Sequence, residues 1–108
     1  MSDKRVVLTT AGSADEAKRI AEALVQRQLA ACVNVVGPIS SVYRWQGKLE
    51  RAQEWLLAIK TTASVTDAVG DAIKVLHSYE LPECLVLPIE GGSEAYLEWI
   101  GENVKKSE

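Results

Sequence analysis

Ile39-Ser40-Ser41-Val42-Tyr43-Arg44-Trp45, then Gln46-Gly47-Lys48, then Glu54-Trp55-Leu56-Leu57-Ala58-Ile59-Lys60-Thr61: these β-rich runs, with a turn and no helix between them, decide the fold. Before them stands Cys32-Val33-Asn34-Val35-Val36, separated only by Gly37-Pro38. A glycine-proline break inside a long strand predicts a bulge or bend. Gln46-Gly47-Lys48 predicts a hairpin turn. In the return strand Trp55, Leu57 and Ile59 point one way, and Glu54, Leu56, Ala58 and Lys60 the other. Strands average about five to six residues, so this hairpin is long for a small domain. One small core does not cover its outer end, where Tyr43, Trp45 and Trp55 lie. Exposed aromatic strand edges invite pairing with another chain, so these three residues are expected at an interface between copies.

Toward the N-terminus, Val6-Val7-Leu8-Thr9-Thr10 predicts a strand. Ala11-Gly12 breaks it, and Ser13-x-x-Glu16 is a capping box that opens a helix. Ala17, Ile20, Ala21 and Leu24 give that helix one buried stripe, to about Gln28. Its charges, Asp15, Glu16, Lys18, Arg19, Glu22 and Arg27, are expected in solvent. Toward the C-terminus, Ser64-x-x-Asp67 resembles a second capping signal. Val69, Ala72, Ile73 and Leu76 repeat the helical spacing, and Gly70 weakens that helix by roughly 1 kcal/mol relative to alanine. The helix must stop before Pro82, which leaves His77 at its end. Cys84 to Leu87, bracketed by Pro82 and Pro88, predicts a central strand buried on both faces. After Gly91-Gly92, Ser93 caps a last helix with Leu97, Ile100 and Val104 on one side and Lys105 and Lys106 at its end. Strand, helix, strand, strand, helix, strand and a final helix is the split βαβ order of the ferredoxin-like α+β fold. It predicts one antiparallel sheet with helices on a single face, and another face in need of a cover or a partner.

The 108 residues suit one domain, residues 1–108, with a core that needs no staples. A net charge of -3 argues against general affinity for nucleic acid, which needs a basic face. No apolar run approaches the roughly 18 residues of a membrane span, and the N-terminus shows no signal-peptide core. Cys32 and Cys84, each in apolar sequence, are expected as reduced thiols of a cytoplasmic protein, with Cys32 buried and inert.

Chemistry concentrates in residues 77–92, which hold the chain's one histidine, Cys84, and the carboxylates Glu80, Glu83 and Glu90. His77 is the imidazole candidate for a metal, with Glu80 and Glu83 as added oxygen ligands. One histidine and two distant cysteines make that signal weak, and a lone histidine at a helix end also serves as a cap or hydrogen-bond donor. Cys32 with His77 would be a nucleophile pair, but a strand cysteine between Ala31 and Val33 favours an inert thiol. No phosphate-cradling glycine motif occurs. An acylphosphatase would need an arginine in the loop after the first strand, and Thr10-Ala11-Gly12-Ser13-Ala14 has none. The residues alone favour a structural or interaction role over catalysis.

Nearly the whole chain resembles the CutA divalent-cation tolerance family. The resemblance is carried in order by Leu29-Ala30-Ala31-Cys32-Val33-Asn34, Ser41-Val42-Tyr43-Arg44-Trp45-Gln46-Gly47-Lys48 and Ile59-Lys60-Thr61. It continues through His77-Ser78-Tyr79-Glu80-Leu81-Pro82-Glu83, Leu87-Pro88-Ile89-Glu90-Gly91-Gly92 and Tyr96-Leu97-Glu98-Trp99. It implies a ferredoxin-like subunit and a tight homotrimer similar to the PII signalling proteins. It also implies a role in tolerance of copper(II) or another divalent metal, and no enzymatic activity. His77 matches the histidine of the family's His-Pro-Tyr motif, with Ser78 in place of the proline. Two further copper ligands proposed for some bacterial members fall at Thr9 and Leu76, neither a good ligand, so the resemblance implies weak or indirect metal binding. The alternative is a PII-like module that binds a small molecule between subunits, near Lys60, Tyr79, Glu83 and Glu90.

Overall fold

The computed structural model describes residues 2–107. Its elements are β1 (Lys4–Ala11), α1 (Ala14–Gln26), β2 (Cys32–Trp45), β3 (Lys48–Thr62), α2 (Thr66–Leu76), β4 (Leu85–Pro88) and α3 (Glu94–Glu102). The strands form one sheet in the order β2-β3-β1-β4, and each neighbouring pair is antiparallel. This is the βαββαβ arrangement with a helix added, as expected.

The β2–β3 hairpin dominates the sheet, with strands of 14 and 15 residues. Gln46 (φ 51°) and Gly47 (φ 80°) turn it, both left-handed as a two-residue hairpin turn of the primed kind requires. The register shifts between Val36 and Ile39, at the cis Gly37–Pro38 bond. Val36 pairs with Leu56, and Ile39 with Glu54. Side chains alternate along a strand, so the bend lets Val36 and Ile39 share one face although their numbers differ in parity. Gly37 is required there: a Cβ would come within 2.2 Å of the Trp55 indole.

The alternation of β3 settles which face is the core. Leu57, Ile59 and Thr61 are buried, as are Thr9 and Val7, which pair with Leu57 and Ile59, and Ala11 at the end of β1. Against this face pack Ala17, Ile20 and Leu24 of α1 and Val69, Ala72 and Ile73 of α2, with Ile100 and Val104 at the third helix. Helix α1 opens on Ser13, whose Oγ accepts from the Glu16 amide at 3.1 Å. It closes with a paired carbonyl cap: the Leu29 amide donates to Leu24 O and the Gln28 amide to Val25 O, with Gln28 left-handed. Ser93 caps α3 through the Tyr96 amide, as its sequence suggested.

Four expectations need correction. Glu16 is buried rather than solvated. Ser64 does not cap α2; its hydroxyl pairs with that of Thr62, and the helix begins after a 3-10 turn, Ala63–Val65. Lys105 and Lys106 lie beyond α3, which ends at Glu102, because the chain turns there and the Lys105 amide bonds Gln28 O. Strand β4 is an edge strand, not a central one, and Leu85 is 54% exposed. A continuous apolar run does not distinguish burial by its own chain from burial by something else. The register puts Leu85 beside Leu8 and Leu87 beside Val6, on the sheet face opposite the core. On the same face Val36 is 52% exposed.

Candidate functional site

The segment after α2 is fixed by side chains rather than by secondary structure. His77 is the C-cap of α2 and only 9% exposed. Its Nε2 meets the Thr10 carbonyl, which only accepts, so Nε2 carries the proton. Its Nδ1 is then free to accept, and takes the Tyr79 amide at 3.1 Å. Glu16 adds a second clip: Oε1 accepts from the Gly12 amide at 3.3 Å, Oε2 from the Ser78 amide at 2.9 Å. The end of β1, the start of α1 and residues 77–79 are thereby tied together. Burial pushes the Glu16 carboxyl up, but the bonds from Ser78 and Gly12 outweigh it and hold the carboxyl below its usual range.

This clip delivers Tyr79 onto the face of the sheet away from the core. Its hydroxyl donates to Glu54 Oε2 at 2.8 Å, and its ring lies so close over Gly12 that a Cβ there would sit 3.1 Å from the hydroxyl oxygen. Burial and the bond to the Glu54 carboxylate raise the Tyr79 phenol far above its ordinary value. Glu54 is only 8% exposed. Among the described residues no cation lies within ion-pair distance of its carboxylate. Burial, and then the Glu54 charge, push the Glu83 carboxyl up.

Around these groups opens a cleft of about 640 Å³, within the roughly 300–1,000 Å³ usual for small-molecule sites. Tyr43, Trp45, Ile39 and Leu56 supply apolar and aromatic wall, while Glu54, Glu80 and Glu83 supply carboxylates. Among the described residues no lysine or arginine lines it.

Five residues singled out in the sequence meet here: Tyr43, Trp45, Tyr79, Glu80 and Glu83. Lys60 does not. It lies six residues along β3 from Glu54, about 20 Å at strand rise, where its Nζ bonds Asn34 Oδ1. Glu90 is exposed beyond β4 and does not line the cleft. Trp55 sits on the core side of β3, half-buried against the core and Gly37. For a metal, both His77 nitrogens are already engaged. Thr9 is fully buried with its hydroxyl unpartnered, and Leu76 is half-buried. No three His, Cys, Asp or Glu side chains among the described residues are grouped to hold an ion. The donor set of one chain therefore does not fit a tight copper site. Both cysteines are free thiols, but Cys32 is half-buried and Cys84 exposed, so neither is the buried thiol expected. Burial and the Glu83 carboxylate raise the Cys84 thiol. The sequence did not reveal Glu54, Glu16 or Thr10 as parts of the site. For Glu54 the one signal was strand parity, which put it on the face opposite Leu57.

Fold and cleft together define a class: a ferredoxin-like α+β subunit with an acidic, aromatic-walled cleft on its uncovered sheet face. Within that class the chain belongs to the CutA1 divalent ion tolerance protein family, which matches residues 5–103. It is 46% identical over 100 residues to the "Divalent-cation tolerance protein CutA" of Thermus thermophilus, covering 93% of this chain and 97% of that one. It is 43% identical to "Protein CutA 1, chloroplastic" of rice, 94% of this chain but only 58% of the longer plant protein. Among solved structures, the CutA of Xylella fastidiosa superposes with a TM-score of 0.94 at 38% identity, over 96% of this chain and all of that one. An Archaeoglobus fulgidus structure, described as a periplasmic divalent cation tolerance protein, gives 0.91 at 41% identity, over 94% and 99% of the two chains. Relatives thus carry chloroplastic and periplasmic addresses. In this chain no described helix is long and apolar enough to cross a membrane.

Proposed function

We propose that this chain acts as a non-enzymatic homotrimer in divalent-cation tolerance, copper among the cations, and that it binds metal weakly or indirectly. The family supports the tolerance role. The observation that carries the indirect reading is His77: a buried imidazole with one nitrogen donating and the other accepting has no lone pair left for an ion. The trimer reading rests on the exposed apolar residues of the outer sheet face and the β4 edge. The cytoplasm is the proposed compartment. Calorimetric titration with Cu(II) at neutral pH tests the metal reading. Wild type and His77→Ala should both bind no tighter than micromolar. A wild-type dissociation constant below nanomolar, lost in the variant, would overturn it.

A second reading has its own support in the cleft: a PII-like module that binds a small molecule at clefts between subunits. A cavity of this size, with convergent polar groups in an apolar wall, has the build of a ligand site.

A further inference from the structure

We infer that the hairpin end of one copy seats in the cleft of the next, placing its Arg44 and Arg51 against the carboxylates Glu80 and Glu83. This rests on the trimer reading above and names the two surfaces that meet.

A closed ring of three copies is not built from one surface that matches itself. Its contacts run head to tail, so each chain carries two different and complementary surfaces. The hairpin end supplies the first. No residue of β3 before Glu54 is buried, so this end projects beyond the core on both faces. Alternation puts Leu49 and Arg51 on the Leu57 side of β3, and Arg44 pairs with Leu49 and shares that side. All three are exposed, Leu49 by 58%. Arg44 bonds the Gly47 carbonyl at 3.3 Å. Among the described residues neither guanidinium lies within ion-pair distance of a carboxylate.

The cleft supplies the second surface, on the opposite face of the sheet. Its charges are carboxylates, and its wall includes the rings of Tyr43 and Trp45. The two surfaces match in kind. A guanidinium pairs with carboxylates and also stacks on aromatic faces, and Leu49 brings apolar area to a wall that includes Ile39 and Leu56. Arg44 and Arg51 stand on the face away from their own cleft, so no chain fills its cleft with its own arginines. The occupant is another copy. The rings and the cleft are then open only in a lone chain. Each copy gives its hairpin end to one neighbour and receives the hairpin end of the other, which closes the ring.

Charge reversal tests the pairing. Sedimentation velocity on dilution, with urea added in steps where dilution alone leaves wild type assembled, gives the midpoint of dissociation. Arg44→Glu with Arg51→Glu, and separately Glu80→Arg with Glu83→Arg, should each weaken assembly at least about tenfold, because like charges then face one another. All four positions are exposed, and circular dichroism checks the fold. The chain carrying all four changes restores opposite charges at every contact and should recover much of the loss, which damage at independent sites would not. A wild type that is not a trimer would sink the trimer reading and the pairing with it. A trimer indifferent to both pairs of changes would overturn the pairing alone and leave the cleft to a small molecule. A fourfold variant no better assembled than either pair would also overturn it, since the two surfaces would then not meet.

Discussion

At Glu16 one carboxylate joins two ends of the chain. The capping box was legible from Ser13 and Glu16, and half of it forms as written, with Ser13 accepting from the Glu16 amide. The carboxylate does not return to Ser13. It turns to Gly12 and to Ser78, a residue 62 positions away. No local rule shows that residue 78 comes back over the start of α1, which is why Glu16 read as solvated. Glu16→Ala strips an acceptor from two amides and should lower stability by about 1–3 kcal/mol at pH 7. The pH dependence follows from the lowered carboxyl value. The Glu16 contribution is fully present above its unfolded value of about 4.3 and is lost as pH falls through the lower folded value. Urea unfolding of both proteins should therefore show a gap at pH 7 that narrows as pH falls below about 4. A gap that stays constant with pH would mean that the charge of Glu16 is not what holds residues 77–79.

Among the elements, β3 was legible from Glu54 to Thr61, but not over its first six residues, Lys48 to Gln53. Its alternation sorted Leu57 and Ile59 from Glu54 and Leu56 before any coordinates, because one side of the sheet faces a core. The same rule assigned Trp55 correctly to the Leu57 side, yet its aromatic size suggested an exposed interface; the glycine at 37 makes room for it within its own chain. Strand β4 shows the opposite failure, an apolar run that its own chain leaves half-covered. Gly70 lies inside α2. A Cβ at Gly70 would meet only Cys84 Sγ at 3.8 Å, an ordinary van der Waals distance. Gly70→Ala should therefore raise stability by roughly 1 kcal/mol through helix propensity. Thermal unfolding checks it, and a lowered midpoint would mean that the α2 to β4 packing has no room for the methyl.

Over the whole molecule, the βαββαβ order followed from seven local patterns, whereas the cleft did not, because its members come from β1, β2, β3 and the loop before β4. Apolar side chains remain exposed on the sheet face away from the helices: Val36, Leu85 and Leu87, with Tyr43 and Trp45 at the hairpin end. A stable monomer rarely leaves such a surface open beside an unpaired strand edge. Copies of this chain are expected to cover one another there, three to an assembly. Light scattering coupled to size-exclusion chromatography at micromolar concentration measures this directly. A single species of about 35 kDa is expected, three times the 11.8 kDa chain, and Trp45→Glu should shift it toward smaller species. A wild-type mass of one or two chains would contradict it.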